Sequence, residues 1–386
     1  MKGKTKLKSD KMAVAFVAIS SFQIIASVNI MADLMDRGFS KFVLFTTETS
    51  GILKKIKEQK IFTEVYSINR EKRGSNVVYL IKTLFLPFKA IKDQVSEYRK
   101  NSVFSRIYCT DCNSLMCALY LHALTLNSSL ELHLMEDGAR NYCVQFDHYK
   151  KLRKIMSFFS LPLYADNFCG TTVFEPAMLP KNNSLKVVKQ LKFSENEYAL
   201  FTIKKIYKGL IFPGEINFGD LIYLNQPFFY GNVSTFERIE NAILDALTNL
   251  VPRECFKFKN HPKYSHKNSF NQNKLKTSAF EPYFVEEQEK LDHLILVGIS
   301  STALFSPKLI FDKEPKVIFL HKIFRIYFEN LKGVDDVTCY TNGSFNEAVK
   351  RLKNLYKHKS RVIVPETLVQ FKKILRQNFE SFSFKS

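Results

Sequence analysis

Tryptophan is absent from the 386-residue chain, and 13 glycines and 12 prolines are too few for a fibrous repeat or a disordered polymer. Acids are scarce beside bases. The 37 Asp and Glu face 57 Lys and Arg, a formal charge of +20. That excess favours an anionic partner: nucleic acid, an anionic membrane surface, an acidic glycan or a nucleotide. The bases are scattered along the whole chain with no RNP-type, zinc-finger or helix-turn-helix signature, which argues against a dedicated nucleic-acid binder. Cysteine is odd in number, seven in all. Cys143, Cys169, Cys255 and Cys339 lie mostly in apolar surroundings and read as reduced thiols of a cytosolic protein. Cys109, Cys112 and Cys117 are close enough for a metal, but no second Cys/His pair with finger-like spacing follows, so buried structural thiols are the simpler reading and no metal is expected. What the chain does have is apolar residues, 46% of the total, over a length that suits two domains with a core each.

Lys2, Lys4, Lys6, Lys8 and Lys11 form a basic leader, and Met12 to Ala32 then runs without a charge. That is the outline of a signal anchor. The run contains Ser20, Ser21, Gln23, Ser27 and Asn29, however, and it starts with the strand-like block Val14-Ala15-Phe16-Val17-Ala18-Ile19. A buried strand, a turn at Ser20-Ser21 and a helix from Phe22 to Arg37 closed by Gly38 are predicted instead of a membrane span, with leader 1–11 free at the surface.

Alternation continues with predicted strands over 41–46, 63–68, 105–109 and 130–135. Helices are predicted over 50–59, 77–99 (interrupted near Pro87) and 114–126. Such alternation with short connections is the sequence form of a doubly wound, mostly parallel sheet. Residues 150–219 are less regular, with Pro162, Gly170, Pro176 and Pro180, and are expected to hold helices and the crossing between domains. A second set follows, with strands over 221–224, 255–259, 293–297, 317–320 and 337–340. Its helices are expected over 234–250, 284–291, 301–304 and 323–331, and the last, 365–379, could pack on either domain. The expected domains are 12–200 and 201–365, with 366–386 as a closing helical segment. The fold class is α/β, two Rossmann-like domains facing a cleft, the GT-B arrangement of nucleotide-sugar transferases, although other enzymes also have two such halves.

Three short motifs carry the chemistry. The apolar run Leu132-His133-Leu134-Met135 ends in Glu136-Asp137-Gly138, which can present a general base at the carboxyl end of a strand, although Asp-Gly is also an ordinary turn. In Lys259-Asn260-His261-Pro262-Lys263 the proline fixes the turn and holds the imidazole at a strand end. The blander alternative for His261 is a solvated turn residue. Gly298-Ile299-Ser300-Ser301-Thr302 runs from a strand into hydroxyl residues that can cap a helix or offer hydroxyls and N–H groups to an anion. The basic stretch Phe256 to Lys276 reads, beyond its opening strand, as a solvated loop bordering the site or, more sharply, as a track for a polyanionic acceptor.

The order acid-acid-Gly, His-Pro, Ser-Ser/Thr over two Rossmann-like halves resembles the bacterial sialyltransferases, namely the lipooligosaccharide enzymes of glycosyltransferase family 52 and the capsular polysialyltransferases. Phe22-Gln23 and Leu224-Asn225-Gln226-Pro227 are also similar to that group, and the likeness spans roughly residues 12 to 345. The resemblance implies metal-independent, inverting transfer of sialic acid from CMP-sialic acid to a sugar hydroxyl, without a cofactor. It makes the first domain the acceptor side and the second the CMP-sugar side. Asp137 or Glu136 would be the base. His261 would serve the departing phosphate. Gly138, Gln226, Lys259, Pro262, Lys263, Gly298, Ser300, Ser301 and Thr302 would bind substrate. Some relatives carry a base carboxylate just after the equivalent of Asn225-Gln226-Pro227, whereas this chain continues Phe228-Phe229-Tyr230, which turns attention to Glu136 and Asp137. The expected setting is the cytoplasmic side of the inner membrane, with peripheral contact to anionic lipid, a glycan acceptor and no nucleic acid. Single transfer to a lipooligosaccharide or capsule acceptor, extension of a polysialic acid chain, and a non-catalytic basic anion-binding protein are the readings to separate.

Overall fold

The computed structural model describes residues 12–47, 50–69, 82–110, 114–143, 168–181, 186–212, 214–226, 233–261, 273–276, 280–331 and 338–379. The leader 1–11, Cys112, Pro227, Pro262 and Lys263 lie outside them. The chain divides into two compact units. The first comprises 1–137, 145–176 and 181–208; the second comprises 138–144, 177–180 and 209–386.

Seven parallel strands build the first unit: β1 (Ala13–Ala18), β2 (Phe42–Thr46), β3 (Glu64–Ser67), β4 (Phe104–Cys109), β5 (Glu131–Met135), β6 (Phe168–Val173) and β7 (Val187–Lys189). Their order is β3-β2-β1-β4-β5-β6-β7. The central strands are continuous apolar runs because both faces of the sheet are covered. The uncharged stretch after the leader folds as β1 and helix α1 (Ser21–Asp36). Ser20 Oγ caps it by accepting the Gln23 N–H at 3.3 Å, and Gly38, at φ +89°, closes it by donating its N–H to Met35 O at 2.9 Å. Among the described residues no helix is long and apolar enough to cross a membrane. Helices α2 (Ser50–Glu58), α3 (Pro87–Gln94) and α4 (Ser114–Leu126) follow. Pro87 opens α3 at the position where a missing N–H costs nothing. Cys109 and Cys117 are buried in the core on the α4 side, whereas Cys169 is exposed rather than set in apolar surroundings.

The less regular region supplies an 11-residue helix, as expected, but also two strands that were not, β6 and β7, so β5 is an interior strand and not the last of its sheet. The short helix α5 (Ala139–Cys143) belongs with the second unit, and α6 (Glu197–Tyr207) with the first.

In the second unit β8 (Leu221–Leu224), β9 (Phe256–Lys259), β10 (Ile295–Gly298), β11 (Lys316–Phe319) and β12 (Val362–Ile363) are parallel in the order β12-β11-β10-β8-β9. Its helices are α7 (Val233–Leu250), α8 (Phe280–Glu286), α9 (Ser306–Phe311), α10 (Arg325–Glu329), α11 (Thr338–Thr341), α12 (Ser344–Leu355) and α13 (Leu368–Phe379). Of the strand expected over 337–340, residue 337 lies outside the described residues and 338–340 are helical, within α11; the two-residue β12 takes the sheet edge beside β11. The closing helix joins the second unit, where Phe371, Leu375 and Phe379 share a core with Ile243 and Leu247 of α7. Both units are therefore Rossmann-like α/β layers.

Candidate functional site

An open α/β sheet binds ligands at the carboxyl ends of its strands where the strand order reverses. That point lies between β1 and β4 in the first unit and between β8 and β10 in the second. A glutamine sits at each.

In the first unit, Gln23 lies in the opening turn of α1. Its Oε1 accepts the Ile19 N–H at 2.6 Å, just past β1, and its Nε2 donates to Thr110 Oγ1 at 3.1 Å, just past β4. The same Nε2 donates to Asp137 Oδ1 beyond the end of β5. One buried amide thus ties together the ends of three strands and fixes the carboxylate. The two adjacent acids differ sharply. Glu136 is 0% exposed, and its Oε2 accepts the Phe174 N–H at 2.7 Å, tying the end of β5 to the end of β6. Asp137 is half-buried and reaches the surface.

In the second unit, Gln226 Oε1 accepts both the Ser300 N–H at 3.1 Å and the Ser300 hydroxyl at 3.0 Å, across the reversal between β8 and β10. The Ser300 hydroxyl also meets the Tyr340 hydroxyl in a short contact. Burial pushes that phenol well above its ordinary value, so it stays protonated. Beside Gln226, Asn225 is held by its Nδ2 donating to Glu240 Oε1 at 2.7 Å, and the Tyr223 hydroxyl donates to the same atom at 3.1 Å. Gly298 lets the strand ends close up, because a Cβ there would stand 3.3 Å from Leu224 O. Ser301 Oγ caps a single 3-10 turn, Thr302–Leu304, by accepting the Ala303 N–H at 3.3 Å.

On the neighbouring strand, Lys259 ends β9. Its Nζ donates to Asn260 O at 2.7 Å, and burial lowers it to about 8, which leaves it cationic at neutral pH. His261 follows, half-buried. The structure therefore gathers Gln226, Gly298, Ser300, Ser301, Lys259 and His261 at the carboxyl edge of three adjacent strands, β10-β8-β9. Further along the basic stretch, Leu275 is buried and donates its N–H to Phe258 O at 2.9 Å, so residues 273–276 run against β9 instead of forming a solvated loop.

Gly138 and Thr302, the ends of two separate motifs, meet within the second unit. Gly138 has φ +73°, and a Cβ on it would lie 2.2 Å from Thr302 Cγ2; Thr302 Oγ1 accepts the Ala139 N–H at 3.4 Å. Arg351 of α12 fastens the same segment by donating Nη2 to Tyr142 O at 2.6 Å and Nε to Met178 O at 2.8 Å.

Gln23, Thr110, Glu240, Tyr340 and Arg351 were not singled out as site residues in the sequence. Gln23 bears on function there only through the likeness of Phe22-Gln23 to the sialyltransferases, with no role attached. His321, past the end of β11, was also missed. It is buried, bonded to Asn346 Oδ1 at 2.7 Å, and lowered to about 4 by burial, so it is neutral at pH 7. No family model and no curated protein matches the chain. Among solved structures it is similar to MurG of Acinetobacter baumannii, with 10% identity over 95% of this chain and 99% of that one and a TM-score of 0.43. It is also similar to the UDP-GlcNAc 2-epimerase of Neisseria meningitidis bound to UDP-GlcNAc, with 13% identity, coverage of 96% and 100%, and a TM-score of 0.43. A third is the wall teichoic acid polymerase TagF, with 8% identity, coverage of 97% and 89%, and a TM-score of 0.45.

Proposed function

We propose that the protein is a GT-B-type glycosyltransferase of a bacterial surface-glycan pathway, transferring sialic acid from CMP-sialic acid with inversion. The observation that supports it most is the Gln226–Ser300 bridge at the strand-order reversal of the second unit, with Lys259 and His261 on the next strand. A nucleotide phosphate suits such an edge. In this reading the acceptor oxygen attacks the anomeric carbon of the sugar as its bond to the CMP phosphate breaks. Asp137 takes the acceptor proton, and His261 with Lys259 neutralises the departing phosphate. Asp137 is preferred over Glu136 because it reaches the surface and is aimed by Gln23, whereas Glu136 is sealed against the backbone of Phe174. No residue proposed here requires a metal ion. The charge of +20 favours an anionic acceptor, so extension of a polysialic acid chain is the second reading.

The test is CMP release from CMP-sialic acid, without added metal, in the presence of a lactoside or an oligosialic acid primer. Release is expected to fall by about two to four orders of magnitude in Asp137→Ala and also to drop in His261→Ala. Absence of CMP release with either acceptor, or unchanged rates in both variants, refutes the proposal. Long products from the sialylated primer alone select the second reading.

A further inference from the structure

Away from the strand ends, the outward face of α6 is unusual. The inward face buries Ala199, Thr202, Ile203, Ile206 and Tyr207. At 100° per residue, Tyr198, Phe201, Lys204, Lys205 and Lys208 fall within one arc on the other side, with the exposed Glu197 as the one acid among them. Tyr198 is 44% and Phe201 57% exposed, and Lys205 Nζ lies 4.3 Å over the Phe201 ring. Lys205 and Lys208 have no ion-pair partner among the described residues.

The surface continues beyond the helix. Asn196 caps α6 by accepting the Ala199 N–H at 3.0 Å, and its Nδ2 donates to Asn29 Oδ1 at 2.7 Å. Asn29 Nδ2 in turn donates to Leu191 O at 2.9 Å, which sets the exposed Leu191 beside the start of the helix. A cavity of about 360 Å³ opens there; of the bases that line it, Arg37 and Arg106 are paired at 2.8 Å with Asp33 and Glu131 of the same lining, which leaves Lys186 and Lys189 to add positive charge.

We infer that this face of the first unit docks on an anionic lipid bilayer, with Tyr198, Phe201 and Leu191 at the headgroup boundary and the lysines reaching lipid phosphates. Charge complementarity selects the occupant: aromatic rings interleaved with snorkelling lysines suit a lipid interface, whereas the centres of protein interfaces are depleted of lysine. The docking does not depend on which sugar donor is used.

The absence of tryptophan provides the test. In full-length Phe201→Trp protein the indole is the sole tryptophan, so its emission reports on that position alone. Vesicles of phosphatidylcholine with phosphatidylglycerol are expected to shift the emission to the blue, reversibly with salt, and vesicles of phosphatidylcholine alone are not. In sedimentation with the anionic vesicles, Lys205→Gln with Lys208→Gln is expected to weaken binding about 25-fold, at about fivefold per lysine, and Phe201→Ser about tenfold. No blue shift on anionic vesicles overturns the inference. So does wild-type binding by these variants when removal of residues 2–11 abolishes it, or a shift elicited by duplex DNA and not by vesicles.

Discussion

Replacing Gly138 by alanine adds a Cβ that would stand 2.2 Å from Thr302 Cγ2, 2.6 Å from Oγ1 and 3.0 Å from Cβ. Real Cβ atoms do not approach so closely, and the contact is to a branched side chain held through its hydroxyl by the Ala139 N–H. Two costs therefore add. The backbone at φ +73° charges an L-residue about 1 kcal/mol, and overpacking against Thr302 adds about 1–3 kcal/mol. Thr302→Ala alone loses one long hydrogen bond, about 1 kcal/mol. In the double variant Cγ2 and Oγ1 are gone and only the 3.0 Å contact remains, so most of the overpacking should disappear while the backbone cost stays. The two substitutions should accordingly be non-additive by about 1–2 kcal/mol in the rescuing direction. Urea unfolding followed by circular dichroism measures it. Additive losses, or a Gly138→Ala protein as stable as the wild type, would refute the packing of the two motifs against each other.

Two further outcomes follow from the second unit. His321 is lowered to about 4 by burial while an unfolded imidazole titrates near 6.5, so on acidification the unfolded chain takes up the proton first. Its contribution is complete above about pH 6.5 and falls by up to about 3 kcal/mol as the pH drops to about 4; His321→Asn should flatten the pH dependence of the urea midpoint over that window, and identical slopes would contradict the assignment. Arg351→Ala removes two charged hydrogen bonds to the carbonyls of Tyr142 and Met178 and should cost about 3 kcal/mol. Arg351→Lys should recover less than half because an ammonium cannot reproduce the guanidinium fork; an unchanged melting temperature in the alanine variant would count against this clamp.

Much of the architecture was legible because the local signals agreed with one another. Val14 to Ile19 followed by Ser20 and closed by Gly38 marks a strand, a cap and a stop, and β1 and α1 form there. Strand β6 was hidden by its composition, Phe-Cys-Gly-Thr-Thr-Val. Its buried positions include Gly170, where a Cβ would lie 2.8 Å from Lys186 O, and the buried Thr171 and Thr172, so it is paid for by sheet pairing and not by an apolar pattern. Residues 338–340 show the opposite error. Thr338 and Tyr340 favour a strand by propensity, but the short helix places the Tyr340 hydroxyl on Ser300, and tertiary contact overrides the local preference. Glu136 and Asp137 were equivalent as letters and became different only through burial, which no local pattern carries.

The two strand-order reversals suggest why glutamine recurs at these edges. Parallel strands that diverge from one point leave a crevice with unpaired backbone groups at its mouth, and a group spanning it must satisfy partners on both sides. A carboxamide has an acceptor at one atom and donors at the other. Gln23 uses both, taking the Ile19 N–H while giving to Thr110 and Asp137. Gln226 uses its oxygen twice on Ser300. A glutamate at position 23 could still accept from Ile19 but would set a charge against Asp137, while a leucine would leave the Ile19 N–H and the Asp137 oxygen without their shared partner. Gln23 is therefore as much a part of the candidate site as the carboxylate it holds, although only the carboxylate has the chemistry that draws attention in a sequence.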